Sequence, residues 1–393
     1  MAENIVIVGA KRTPIGSMQG KFNSVSASEL GATAIKAAVE QAGVKPSEVD
    51  DVIFGCVLQA GQGQAPARQA ALKAGLTNTT PATTVNKMCG SGMKAAMMAF
   101  DELSTGNAKV VVAGGMESMT NAPHLLPKSR GGYRYGHQQI LDSMAFDGLE
   151  DAYCGKPMGH FADATAKKYG FTREQMDAYA KVSTERAVSA SKSGAFADEI
   201  APVTVKGRAG DEVVATDETP FNVKLEKIPT LRPAFNKDGT VTAATSSSIS
   251  DGAAALVMMT ESEAKSRGSK PLARVLAYAT NAHEPEWFTT APVGAIEKVL
   301  KKAGWKASEV DLFEVNEAFA VVAMAAMKDV GIPADKINVN GGAVALGHPI
   351  GATGARIITT LIYALKKRGL KRGVAALCIG GGEGTALALE VLQ

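Results

Sequence analysis

Ala42-Gly43-Val44-Lys45-Pro46-Ser47-Glu48-Val49-Asp50 returns 261 positions later, from 42 to 303, as Ala303-Gly304-Trp305-Lys306-Ala307-Ser308-Glu309-Val310-Asp311, with seven of nine residues identical. Each copy follows a helical pattern, over about 28–43 and 292–304, and precedes a strand-like run, Val52-Ile53-Phe54 or Leu312-Phe313-Glu314-Val315. The likeness therefore extends to the order of elements. Two weaker echoes follow in the same order. Gly90-Ser91-Gly92-Met93-Lys94 pairs with Ala352-Thr353-Gly354-Ala355-Arg356, and Gly114-Gly115-Met116-Glu117 with Gly380-Gly381-Gly382-Glu383. The chain reads as two related halves. Alternating strands and helices in each half imply an α/β protein of two duplicated mixed-sheet halves in a layered arrangement, with helices covering the buried sheets.

The texture changes between the halves, over 120–248. Pro, Gly, Tyr and charged residues crowd Pro123 to Asp151, a helical stretch runs from about Met158 to Ser193, and Pro202 to Pro233 is irregular. This predicts an inserted, loop-rich domain. The run from Asp251 to Met259 reads as a Gly/Ala turn entering a core strand that returns to the first half's sheet. The expected division is 1–119 plus 249–270 for the first half, 120–248 for the insertion and 271–393 for the second half.

Composition bounds the function. The 393 residues are 46% hydrophobic and 21% charged, enough for two or three core units. A net charge of +3, without Lys/Arg blocks interleaved with aromatics, argues against nucleic acid. The four cysteines, Cys56, Cys89, Cys154 and Cys378, are too sparse for a disulfide scaffold and lack metal-ligand spacing. They read as thiols in a reducing compartment. The N-terminus opens on a strand-like run, Asn4 to Val8, without a signal h-region, and no apolar stretch reaches the ~18 residues of a membrane helix. The expectation is a cytoplasmic protein with no membrane and no metal.

Four clusters carry chemistry. Cys89, in Asn86-Lys87-Met88-Cys89-Gly90-Ser91-Gly92, leads into an apparent helix whose N–H groups and dipole favour a thiolate. Gly90 and Gly92 leave room for a substrate carbonyl. Asn316-Glu317-Ala318-Phe319-Ala320 follows the repeated strand of the second half; Asn316 reads equally as a ligand-facing residue at a strand end or as a helix N-cap. His348 stands in the glycine-dense Asn340 to Arg356, where an imidazole can take a thiol proton. Those glycines also resemble a phosphate loop, but a GxGxxG after a strand and a Walker lysine are both missing. Leu377-Cys378-Ile379-Gly380-Gly381-Gly382-Glu383-Gly384 offers a second thiol and backbone N–H groups for an oxyanion. Two thiols and an imidazole imply covalent acyl transfer with a separate acid/base.

At these residues the chain closely resembles the thiolase family, in its biosynthetic branch, essentially end to end. The resemblance rests on NKMCGSGMKA around Cys89, NEAFA from Asn316, GGAVALGHPIGATGAR around His348 and CIGGGEG around Cys378, in family order and spacing. It implies two thiolase-fold halves, a loop domain that binds coenzyme A, and a homotetramer built as a dimer of dimers. The implied reaction is a reversible Claisen condensation of two acetyl-CoA to acetoacetyl-CoA and CoA, with a CoA thioester as substrate and no cofactor. By the resemblance, His348 activates Cys89 for acylation and Cys378 is the acid/base. His348 and a water on Asn316 form one oxyanion hole, and the amides of Cys89 and Gly380 form the other.

The implied binding residues are Ser247 for pantetheine, Phe235, Ala243, Ala318 and Phe319 as apolar pocket positions, and Met158 as an acyl-pocket wall. Several positions depart from the family. The loop around Ser247 lacks a common asparagine, Pro157 replaces a histidine beside CoA, Pro220 replaces a basic residue near the nucleotide, and Phe288 replaces a pocket methionine. These leave acyl preference open, with a short or α-methyl-branched chain fitting better than a long one. Three other readings remain. A broader-range 3-ketoacyl-CoA thiolase would use the same residues. A condensing enzyme on carrier-protein thioesters usually pairs Cys with two His, and only His348 lies in such a motif. A non-catalytic acyl-CoA-binding protein would not need Cys89, His348 and Cys378 together.

Overall fold

In the first half, β1 (Ile5–Arg12), β2 (Gly16–Ser17), α1 (Ala27–Ala42), β3 (Asp51–Gly55), α2 (Pro66–Lys73), β4 (Ala82–Val85), α3 (Ser91–Ser104) and β5 (Val110–Ser118) follow one another. The insertion holds β6 (His124–Leu125) paired with β7 (Leu141–Asp142), α4 (Met158–Tyr169), α5 (Arg173–Lys192), and β8 (Val203–Val205) paired with β9 (Glu212–Val214). Then come β10 (Ser250–Thr260) and α6 (Glu261–Arg267). The second half contains β11 (Ala273–Ala282), α7 (Ala291–Ala303), β12 (Leu312–Val315), α8 (Ala320–Val330), α9 (Ala343–Leu346), α10 (Thr353–Lys367), β13 (Arg372–Ile379) and β14 (Glu383–Val391). This computed structural model describes residues 3–208 and 210–392.

The repeated nine residues do the same work twice. Gly43 and Gly304, at φ 66° and 71°, close α1 and α7 in the left-handed conformation that glycine adopts without strain. Glu48 then accepts from the Lys45 amide at 2.8 Å, and Glu309 from the Lys306 amide at 2.7 Å. Asp50 accepts from the amides of Lys109 and Val110, where β5 starts; Asp311 accepts from those of Lys371 and Arg372, where β13 starts. Both carboxylates thus set a parallel pair, β3 with β5 and β12 with β13.

The main sheet runs β12-β13-β14-β11-β1-β10-β5-β3-β4, with β2 beside β10. It is mixed. Parallel pairing is confined to β3/β4, β3/β5 and β12/β13, because the long hairpin β13–β14 and the return of β10 between β1 and β5 are antiparallel. The halves join where Ile5–Ile7 pairs with Ala273–Val275. Leu30 and Ile35 of α1 cover Val52 and Val257 on one outer face; Val299 and Val321, from α7 and α8, cover Val315 and Val374 on the other. Between the two half-sheets, α3 and α10 bury Met93, Met97, Ile357 and Leu361 against Ile7, Val111, Leu377 and Leu387.

The crossing of α3 and α10 explains the second echo. A Cβ on Gly92 would come within 2.9 Å of the Ala355 nitrogen, and one on Gly354 within 2.2 Å of the Met93 nitrogen, so the first turns touch backbone to backbone. The third echo does not correspond in space. Gly114 and Gly115 lie mid-strand in β5, where a Cβ would strike Ala254 and Gly351, whereas Gly381 and Gly382 turn the chain between β13 and β14 at φ 93° and 87°. The helical stretch expected from about Met158 to Ser193 holds two helices: Gly170 at φ 69° ends α4, and Thr172 caps α5 by accepting from the Gln175 amide. A buried ion-pair network, Arg12 with Glu199 at 2.6 Å and Asp217 at 2.7 Å, fastens the insertion to β1.

Candidate active site

Cys89 sits on an elbow between β4 and α3. Met88, just before it, holds φ 49°, a conformation that costs a non-glycine residue on the order of 1–3 kcal/mol. Ser91 secures the bend by donating to the Met88 carbonyl at 2.6 Å and accepting from the Lys87 amide at 2.9 Å. Cys89 is half-buried. The Gly380 amide and its own amide both reach its sulfur and favour the thiolate, yet burial prevails and pushes the thiol up to about 11. The thiolate expected from the helix N-terminus is therefore not the resting form. The helix starts two residues later, at Ser91, so Cys89 lies before its first turn.

Cys378 is the penultimate residue of β13 and is fully buried. Burial first, and the neighbouring Cys89 second, raise its thiol well above the ordinary range. The two sulfurs thus lie close enough to sense each other, with Gly380 directly after one and its amide on the other. Met158, opening α4, brings its sulfur to 3.6 Å from where a Gly380 Cβ would stand. Insertion and second half therefore meet over this turn.

His348 is buried in the segment between α9 and α10, its amide donating to the Ser248 carbonyl. Its Nδ1 lies 2.7 Å from Thr353 Oγ1, whereas its Nε2 has no hydrogen-bond partner among the described residues, Cys89 included. Burial, with the charge of Arg356 adding to it, lowers the imidazole to about 3. The imidazole and the Cys89 thiol are both neutral at rest near pH 7. Three residues on, the Gly351 carbonyl packs against the first turn of α3, so the His348 segment abuts the Cys89 elbow.

A stability prediction follows from the sign of that shift. The unfolded chain binds a proton at His348 below ~6.5 and the folded chain does so only near 3, so stability from this group is lost as pH falls through that window, by up to about 1.4 kcal/mol per pH unit. The His348→Asn variant lacks this loss. Urea unfolding of both proteins between roughly pH 4 and pH 6 is expected to give stability curves that converge toward acid pH; parallel curves would show that the imidazole titrates normally in the fold.

Asn316 follows β12 and is 1% exposed, with both side-chain polar atoms unpaired. It does not cap a helix: α8 begins at Ala320, with Phe319 in the N-cap position. A buried amide without protein partners suits an ordered water or a ligand oxygen. Its neighbour Glu317 accepts from Tyr179 and Ser183 of α5, from Asn338 and from the Val344 amide, so this one carboxylate ties the insertion to the strand end bearing Asn316.

Met158, Phe235, Phe288, Ala318 and Phe319 belong to one apolar cluster, which also contains Cys378. Phe288 and Phe319 meet edge to face at 6.4 Å, as do Phe235 and Phe319 at 5.8 Å. Ser247 donates to the Ala318 carbonyl at 3.0 Å and borders this wall. Ala243 stands apart, exposed on a short 3-10 turn. Where Pro157 replaces a histidine, His160 supplies an imidazole one turn on, 2.7 Å from Asn236 Oδ1.

Glu117 escaped the sequence reading. Fully buried at the end of β5, it accepts from the amides of Val57 and Leu58 in the first half and of Gly351 in the His348 segment, at 2.9–3.1 Å. It is a clamp between the Cys89 and His348 halves. Its signal was a lone carboxylate closing the apolar run from Val110 to Met116.

Comparison with known proteins agrees with this architecture. The model of the thiolase N-terminal domain matches residues 5–262, and that of the thiolase C-terminal domain matches residues 269–391. An acetyl-CoA acetyltransferase of Allochromatium vinosum is 50% identical over 392 residues, 99% of this chain and all of that protein. One from Schizosaccharomyces pombe is 48% identical over 388 residues, 98% of each chain. The crystal structure of the Bacillus anthracis acetyl-CoA acetyltransferase covers all of this chain at 43% identity with a TM-score of 0.97. The chain belongs to the thiolase family.

Proposed function

We propose that the protein is an acetyl-CoA C-acetyltransferase that joins two acetyl-CoA into acetoacetyl-CoA and free CoA, and runs the same steps backwards as thiolysis. One observation carries this reading: Gly90, directly after Cys89, packs against the Ile379 side chain, directly after Cys378, which brings the two thiols near enough for the charge of one to raise the other. In the first half-reaction the Cys89 proton passes to His348 Nε2 as sulfur bonds the thioester carbonyl; the C–S bond of the substrate breaks, and CoA leaves with that proton. The Cys378 thiol passes its proton to His348 Nε2, and the thiolate takes an α-proton from the second acetyl-CoA; the carbanion attacks the acyl-Cys89 carbonyl and expels Cys89, whose sulfur takes the proton back from His348. The amides of Cys89 and Gly380 stabilise the oxyanion on the acyl-enzyme, while His348 and an Asn316-held water stabilise the enolate.

Relatives named acetyl-CoA acetyltransferase at about half identity over the full chain support this activity. The aromatic wall of Phe288, Phe319 and Phe235 favours a short acyl chain. Steady-state thiolysis tests this: kcat/KM for acetoacetyl-CoA is expected to exceed that for 3-ketohexanoyl-CoA by at least tenfold, since a misfitting methylene costs ~1–3 kcal/mol. Rates that hold or rise with length would identify the broader-range thiolase, and CoA binding without turnover a non-catalytic acyl-CoA-binding protein. The reading includes a cytoplasmic enzyme acting as a homotetramer. The exposed Leu126, Tyr135, Ile140 and Phe146 support an assembly surface on the insertion, and the absence of any helix long and apolar enough to cross a membrane, among the described residues, fits that location.

A further inference from the structure

We propose that Thr353 is a positioning residue that locks His348 in the tautomer with the proton on Nδ1 and a free lone pair on Nε2. The inference rests on the reading of His348 as the base for Cys89. Thr353 opens α10, its side chain is fully buried, and its Oγ1 makes two contacts: 2.7 Å to His348 Nδ1 and 3.0 Å to the Pro349 carbonyl. A hydroxyl has one proton. Spent on Pro349, it leaves Oγ1 as the acceptor, so Nδ1 must carry the hydrogen.

The opposite assignment fails a count of donors. If Thr353 donated to Nδ1, the ring proton would sit on Nε2, which is buried and has no acceptor among the described residues. A buried donor without a partner is the costlier defect, whereas an empty lone pair is what a general base needs. Every proton finds an acceptor only with Nδ1–H. The lock is short-range: Thr353, Pro349 and His348 span six residues, so the segment sets its own tautomer before any substrate arrives. The same hydroxyl holds the ring plane against the first turn of α10, whose contact with α3 carries Cys89.

Nitrogen-15 NMR of histidine-labelled protein reads the tautomer directly and needs no turnover. The unaltered chain and Thr353→Ser are expected to show His348 with a protonated Nδ1 and an unprotonated Nε2, and Thr353→Val a mixture. Single-turnover acylation of Cys89 by acetyl-CoA should fall about 10- to 100-fold in Thr353→Val, within the ~10²–10⁴ that a general base supplies, and stay within about threefold in Thr353→Ser. An Nε2–H signal in the unaltered protein would overturn the proposal, and that spectrum decides even if Thr353→Val does not fold. Equal acylation and equal spectra in Thr353→Val would overturn it as well. An Nδ1–H signal in a protein that acetyl-CoA never acylates would retain the lock and refute the proposed function instead.

Discussion

Cys89→Ala is expected to lower kcat/KM for thiolysis of acetoacetyl-CoA by on the order of 10⁴-fold or more, because the covalent intermediate then has no sulfur to form on. The effect should fall on kcat. Met158, Phe319 and Ser247 still line the site, so substrate binding should change by only a few-fold. Folding should be unaffected, since Cys89 is partly exposed and its elbow is held by Ser91 and Met88 and not by the thiol. A circular-dichroism melt separates the two: an unchanged midpoint with lost turnover supports a nucleophile. Retained turnover within tenfold of the unaltered chain would remove Cys89 from the chemistry.

Cys378→Ala should divide the reaction in two. Condensation needs an α-proton removed, and the loss of the group that takes it is expected to slow that step by ~10²–10⁴. Acylation of Cys89 needs only His348 and the amides, so its single-turnover rate should stay within about threefold. The variant should accumulate acyl-enzyme from acetyl-CoA without making acetoacetyl-CoA. Cys378 is buried among Val374, Ala376 and Ala386, so deleting one sulfur leaves a small void worth about 1 kcal/mol, too little to unfold a chain of this size. Cys378→Ser fills most of that void and serves as the packing control. If acylation and condensation fall together in both variants, Cys378 is not a separate acid/base.

The fold was legible because the repeat is local. Asp50 and Asp311 fasten strands with partners that lie 59 to 61 residues on, through identical neighbours in each half, so the matching sequence signals matching backbone. Glycine patterns were less dependable. Gly92 and Gly354 serve one helix crossing from both sides, whereas Gly115 and Gly381 answer to a close contact and to a positive φ, two needs that look alike in sequence.

The sequence could nominate the candidate site's side chains but not their protonation states. The sequence places Cys89 near a helix start, where a thiolate is favoured; only the folded protein shows that burial raises the thiol. Asn316 was a balanced choice between cap and ligand until α8 was seen to begin four residues later. Glu117 stayed hidden because its three amide partners lie 59, 60 and 234 residues away. Thr353 lay in plain view, inside the glycine-rich run, but its hydroxyl acquires meaning only from the angle at which His348 turns back toward α10.

The central claim is that an acyl group passes through Cys89 while Cys378 handles the proton. Brief exposure of Cys378→Ala to isotope-labelled acetyl-CoA, followed by acid quench and peptide mass mapping, tests it most directly. The account predicts one labelled acetyl group per chain, on the peptide carrying Cys89, discharged when free CoA is added. Label on any other residue, or none while the unaltered enzyme turns over, would contradict it.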